Sequence, residues 1–445
     1  MKPDLINGSI TKNLLRFALP LMLGNLLQQF YNIADTLIVG RFLGSSALAA
    51  VGSAYTLMTF LTSILLGLCM GSGAVFSIRY GERDFDALKN GIFTSFSLIA
   101  AVTLLLNGIV FLCIDPIMEL LQVPTDVYPL MREYLWIIFV GITATFLYNF
   151  FASLLRAVGN SVLPLVFLAV SAVLNIGLDL LFVLSFHWGV GGAAAATVIA
   201  QYVSGIGILL CTLIRFPEFR VGRKHLRFRS STLKEISGLS FLTCIQQSVM
   251  NFGILMVQGL VNSFGTAVMS AFAAAVKIDS FAYMPVQDFG NAFSTFIAQN
   301  YGAKKTARIT AGVKSAVRTS MLFCLLVSAF VFIFARPLIE IFVLLEEVEI
   351  IAIGVRYLRI EGAFYCGIGL LFLLYGYYRA VKKPGMSIVL TVISLGTRVL
   401  LAYLLSAIPF FGVTGIWISV PIGWFLADLV GFLYYRRCRP VPGHT

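Results

Sequence analysis

Two polar side chains in the apolar stretch 171–184, S-A-V-L-N-I-G-L-D-L-L-F-V-L, are placed to do chemistry: Asn175 and Asp179. They stand four apart, so a helix stacks them on one face, one turn from each other. A carboxylate deep in a membrane-type helix costs about 2.5–3.5 kcal/mol even on insertion scales, so it is a candidate functional group. Asp35, in the first apolar segment, is buried by the same pattern. Two carboxylates at close range in low dielectric cannot both ionise cheaply, so such a pair takes up a proton or a cation. The plainer alternative is an Asp held neutral in a helix-packing hydrogen bond.

These residues need long apolar helices to carry them, and the chain has little else. Of 445 residues, 59% are hydrophobic and 12% charged, and the mean hydropathy is +0.92. Soluble chains carry about 25% charged residues, so this one is a membrane protein. The seven cysteines form no C-x-x-C pair and all but Cys438 lie in apolar runs. They read as small core residues, not as disulfides or metal ligands. With no H-E-x-x-H, G-x-x-x-x-G-K-[ST] or G-x-G-x-x-G in the chain, neither zinc chemistry nor nucleotide binding has a motif. A membrane-embedded enzyme would need a nucleophile and base at depth, and no His lies deep in a segment.

Hydropathy predicts an all-α fold with twelve spans, near 14–40, 47–78, 90–113, 134–154, 162–185, 190–214, 236–262, 267–298, 311–335, 350–378, 386–408 and 412–435. The polar start lacks a secretory signal pattern, so the first span is expected to be retained. With the N-terminus inside, only Arg41, Arg132, Lys277, Arg336, Arg356, Arg359 and Arg398 of the 32 basic residues fall outside. That asymmetry puts both termini in the cytoplasm and explains the net charge of +12 as a topology signal rather than nucleic-acid binding. The basic loop 215–235 divides the chain into lobes 1–214 and 236–445 and is expected to be a solvated linker at anionic headgroups.

The lobes repeat. Gly44 and Tyr80-Gly81 recur as Gly265 and Tyr301-Gly302, and Asp115-Pro116 aligns with Arg336-Pro337, all at an offset of 221. Tyr134-Leu135, Arg156-Ala157-Val158 and Gly189-Val190-x-Gly192 recur at 223, and Gln28-Gln29 at 218. Six helices per lobe insert both halves with the same orientation, a transporter architecture with sites near the midplane. Pro20 in the first helix removes a backbone hydrogen bond and should kink it. The fourth helix carries Asn149 between Tyr148 and Phe150, and the sixth carries Thr197 after a run of small residues.

The N-x-x-D-T-x-x-V-G signature at Asn32, Asp35, Thr36, Val39 and Gly40, within this twelve-helix, two-lobe pattern, resembles the multidrug and toxic compound extrusion (MATE) family of cation-coupled antiporters. The resemblance covers nearly the whole chain. It implies a coupling-cation cluster at Asp35, Asn149, Asn175, Asp179 and Thr197, and a bending proline at Pro20. It also implies export of amphipathic, mostly cationic compounds in exchange for inward Na⁺ or H⁺, with no cofactor. The oxygen ligands at Asp35, Asn175, Asp179 and Thr197 suit Na⁺, or a shared proton.

The second lobe departs from this cluster: Gly253, Arg398 and Ala402 stand where the repeat would put Asp35, Asn175 and Asp179. It has its own ionisable set, Lys277, Asp279, Asp288, Glu361, Arg398 and Asp428, expected to be paired charges: Lys277 with an Asp, Glu361 with Arg398. Tyr31, Phe150, Met250, Asp279, Tyr283 and Met284 are candidates to line a cleft for lipophilic cations. The expected partners are small-molecule substrates and the lipid bilayer, with the chain working as a monomer. The rival within the superfamily is a lipid-linked oligosaccharide flippase, which calls for a cationic cavity; the acids here outnumber Lys277 and Arg398.

Overall fold

The computed structural model describes residues 4–120 and 123–438, and among them every regular element is helical. Helix α1 is Ile10–Phe42, α2 Ser45–Glu82 and α3 Phe85–Leu112, followed by the short α4, Ile114–Leu120. Next, α5 (Tyr128–Ile138) runs through a 3₁₀ turn into α6 (Ile142–Ala157). Helix α7 (Val162–Asp179) continues as a π-helical segment, Leu180–Ser185, and α8 is Gly189–Arg215. After the linker come α9 (Ser230–Asn262), α10 (Thr266–Gly302), α11 (Thr306–Ile333) and the short α12 (Ala335–Glu340). The last four are α13 (Val348–Gly362), α14 (Tyr365–Ala380), α15 (Pro384–Ser406) and α16 (Val413–Cys438).

Among the described residues, ten helical stretches are long and apolar enough to cross a membrane, and α13 with α14, bent by 51° at their junction, make an eleventh. The twelfth expected span is α1. Its 33 residues reach about 50 Å at 1.5 Å per residue, but Asn25, Gln28, Gln29, Asn32 and Asp35 lower its apolarity. Pro20 lies inside this one continuous helix. The short helices α4 and α12 were not expected from hydropathy. Each has its proline, Pro116 or Pro337, in the first turn, where a missing N–H costs no intrahelical bond.

The sequence repeat is written into the turns. Helices α2 and α10 are preceded by Gly44 and Gly265 at φ 89° and 94°, and Gly189 and Gly412 at φ 60° and 48° stand at the starts of α8 and α16. Arg83 and Lys304, at φ 60° and 55°, end α2 and α10 in the left-handed region. In the first, the Asp84 N–H bonds the Arg79 carbonyl at 3.2 Å; in the second, Lys305 bonds Asn300 at 2.9 Å. The same closure follows α6 and α14, where Asn160 bonds Leu155 and Lys383 bonds Tyr378, both at 2.8 Å. Left-handed conformation costs a non-glycine residue about 1–2 kcal/mol. The closing hydrogen bonds and a cation at the negative helix end offset that cost.

The described chain divides into two compact units, residues 19–244 and residues 4–18 with 245–438. The first has an aromatic core in which Phe150 meets Phe76 at 5.9 Å and Phe96 at 5.3 Å between ring centroids. In the second, Trp417 stacks on Phe272 at 5.4 Å and meets Tyr357 edge-on at 4.8 Å. The N-terminal strap is bound into the second unit. Arg308 donates to the carbonyls of Leu5, Asn7 and Gly8, Lys305 to that of Ile6, and Asn300 to that of Leu5.

The linker is more ordered than a solvated tether. Asn90 Nδ2 donates to the carbonyls of His225 (3.0 Å) and Arg227 (2.7 Å). The buried His225 ring accepts the Gly222 N–H at Nδ1, which leaves Nε2 to donate to Asp86 Oδ1 at 2.9 Å. Residues 222–227 are thereby pinned to the start of α3.

Candidate functional site

In the first unit, α1 and α7 bring Asp35 and Asp179 within electrostatic range of each other. Asp179 is completely buried and Asp35 half-buried. One turn before Asp179, the buried Asn175 donates from Nδ2 to Thr197 Oγ1 of α8 at 3.2 Å. Four buried oxygens here receive no hydrogen bond: Asp35 Oδ1, both carboxylate oxygens of Asp179, and Asn175 Oδ1. Buried acceptors without donors are costly, and a group of them is a place for a proton or a cation. The π-helical segment begins at the residue after Asp179, with Phe186 N–H bonding Leu181 O at 3.0 Å. In the second unit α15 carries Ala402 at the repeat position and stays α-helical. Single π turns inside α-helices are frequent at functional sites.

Among the described residues no cluster of three or more His, Cys, Asp or Glu could hold a metal ion. Two carboxylates, an amide oxygen and a hydroxyl form a hard-oxygen set, which fits a monovalent cation better than a transition metal. Asn149 is turned back on its own helix, donating to Thr145 O at 2.8 Å. Tyr134 on α5 was not among the expected site residues. It is buried within electrostatic range of Asp35, Asp179 and Tyr31. Its repeat partner Tyr357 also meets a carboxylate, and that shared Tyr-Leu pair was the available signal.

The second unit holds a different arrangement. Asp279 on α10 accepts from Tyr357 at 2.7 Å and also from Tyr365, and it interacts with Glu361, which is buried on α13. With both carboxylate oxygens bonded and the residue buried, Asp279 is a tied interior group. The expected pairing of Lys277 with an Asp is corrected. Its ammonium lies over the Phe342 ring at 5.8 Å, and no ion pair with it forms among the described residues. Glu361 is near Arg398 electrostatically, but its Oε2 and the Arg398 Nε have no hydrogen-bond partner. Phe150 is fully buried in the aromatic core of the first unit. Tyr31, Met250, Tyr283 and Met284 are half-buried, Tyr31 within electrostatic range of Asp35, Tyr55 and Tyr148. Asp288 is buried on α10.

A family model described as MatE matches residues 20–181 and 240–404. The probable multidrug resistance protein YpnP of Bacillus subtilis is 30% identical, the alignment covering 98% of this chain and 97% of that one. An FAD transporter of Shewanella oneidensis is 26% identical over 99% and 98% of the two chains. A solved outward-facing multidrug resistance MATE transporter of the MOP superfamily superposes with a TM-score of 0.91 at 23% identity, covering 97% of this chain and 96% of that one. The family model accounts for most of the chain, and the MatE match includes both Asp35 and Asp179. The chain therefore belongs to the MATE family of membrane transporters.

Proposed function

We propose that this transporter is a secondary antiporter of the cell membrane, with both termini cytoplasmic, working as a monomer. It exports amphipathic, mostly cationic organic compounds in exchange for inward Na⁺ or H⁺. The observation that carries this is the Asp35–Asp179 pair, with four buried oxygens lacking donors. A cation or proton at Asp35, Asn175, Asp179 and Thr197 relieves both the repulsion and the unmet acceptors. It then biases the access states by its difference in affinity for them. The name of the B. subtilis relative, a probable multidrug resistance protein, supports drug export.

The test is efflux from proteoliposomes with Na⁺ and H⁺ gradients imposed separately, using ethidium and, because one relative is named an FAD transporter, FAD as the anionic comparison. Efflux of ethidium driven by one gradient and lost in Asp35→Asn, Asp179→Asn supports the proposal. Coupled efflux that survives the double substitution, or FAD carried in place of ethidium, overturns it.

A further inference from the structure

The second unit contains a cavity of about 490 Å³ bounded by α10, α11, α14 and α16. Its wall is apolar and aromatic, including Phe293, Leu370, Tyr377 and Phe432, and it contains one charged group, Asp428 of α16. Asp428 Oδ1 is buried and no donor reaches it. A carboxylate in such surroundings is expensive unless a partner supplies charge or hydrogen bonds.

The repeat shows why the cavity exists here. At an offset of 223, Asp428 corresponds to Gly205 of α8 and Gly367 to Ala144 of α6. In the first unit the seam is shut. A Cβ on Gly205 would stand 2.8 Å from the Ala144 carbonyl oxygen, so only glycine allows the approach. Three residues earlier, the Tyr202 hydroxyl donates to Val140 O at 3.0 Å and ties the same two strands of chain together. In the second unit both closures are gone. Asp428 replaces the glycine, with its Oδ2 3.8 Å from the position of a Cβ on Gly367. Phe425 replaces Tyr202 and has no hydroxyl to donate to Ala363, the counterpart of Val140. The substitution that opens the seam also puts a carboxyl group in it.

We propose that this cavity is a binding site for an amphipathic organic cation, whose apolar body fills the space between α11, α14 and α16 and whose positive centre meets Asp428. A lipid acyl chain would fill the volume and leave the carboxylate unmet; a lipophilic cation satisfies both. Tyr377 and Tyr435 also line the cavity, and aromatic rings add cation–π attraction for such a ligand. The site lies within one unit and is separate from Asp35 and Asp179, so it does not depend on the antiport mechanism.

The probe is tetraphenylphosphonium, with tetraphenylmethane as its neutral counterpart, bound at equilibrium to the full chain in lipid nanodiscs with no gradient. An aryl-azide derivative of the cation should label residues 363–377 and 421–435. Asp428→Asn should weaken the cation about tenfold and leave the neutral compound unchanged. Leu370→Trp, which fills the cavity and keeps the charge, should weaken both. Cation binding unaltered in Asp428→Asn, or label placed only outside these segments, overturns the site. Equal loss of the neutral and charged probes in Asp428→Asn does so too, since it means a merely apolar groove. Gradient-driven efflux is measured on the same preparations. Binding without efflux supports this site and sinks only the antiport proposal; efflux with Asp428-insensitive binding does the reverse.

Discussion

Asp35→Asn should make the protein more stable while ending coupled transport. In the wild type, Asp179 has two buried oxygens and no donor, and its neighbour is another carboxylate. An amide at position 35 keeps the shape, removes one like charge and supplies N–H donors. A hydrogen bond to a charged acceptor is worth about 1.5–3 kcal/mol, and the relief of repulsion adds to that. For chains of 150–250 residues about 1 kcal/mol moves Tm by 2–4 °C; a chain of 445 residues moves about 1 °C per kcal/mol, so a rise of roughly 2–3 °C is expected. The assay is thermal unfolding of purified protein in detergent, across a series of Na⁺ concentrations and pH values. A cation that binds only the folded wild type adds RT ln(1 + [L]/Kd), about 2.7 kcal/mol at a hundredfold excess over Kd. Asp35→Asn should begin at the higher Tm and show no further rise with the coupling cation. A lower Tm, or a cation-dependent rise equal to that of the wild type, refutes the idea that unmet oxygens at this pair form the coupling site.

Three further outcomes follow from the packing. Phe150→Ala should cost about 3–5 kcal/mol and lower transport of every substrate in parallel, because the ring is core; a changed order of substrate preference in folded protein would put it in the cleft. Tyr357→Phe leaves Asp279 with the Tyr365 hydroxyl alone and should destabilise the protein by about 1–3 kcal/mol in thermal unfolding, with no effect on the cation-dependent rise assigned to Asp35 and Asp179. Arg308→Ala removes the donors to Leu5, Asn7 and Gly8; amide exchange over residues 4–9 should speed up at least tenfold, and exchange as slow as in the wild type would mean the strap is held by burial of Leu5 instead.

The carboxylates were legible because charge is scarce in these helices: Asp35 and Asp179 stand out against apolar neighbours, and spacing of four fixed Asn175 beside Asp179. The spans were legible for the same reason, since hydropathy integrates over a whole helix. Side-chain direction was not. Asn149 and Phe150 are adjacent in sequence and therefore about 100° apart around a helix, so Phe150 enters the core while Asn149 stays half-buried. The π turn after Asp179 left no mark, because Arg156–Arg379 before it and Gly189–Gly412 after it keep one offset of 223. The hydrogen bonds at Asp279 come from Tyr357 and Tyr365, about eighty residues away in the chain, which no local pattern encodes.

The repeat ties these failures together. Each unit places the repeated tyrosine, Tyr134 or Tyr357, near a carboxylate pair, yet none of the four acids in these pairs, Asp35, Asp179, Asp279 and Glu361, is itself repeated. In the first unit the acids come from α1 and α7, and their oxygens lack donors. In the second they come from α10 and α13, and the tyrosines hydrogen-bond Asp279. A common scaffold with unlike charges in its two copies separates the residues that hold the helices in place from those on which the units differ. On that ground the side chains to test for function are the ones that break the repeat: Asp35 against Gly253, Asp179 against Ala402, and Asp428 against Gly205.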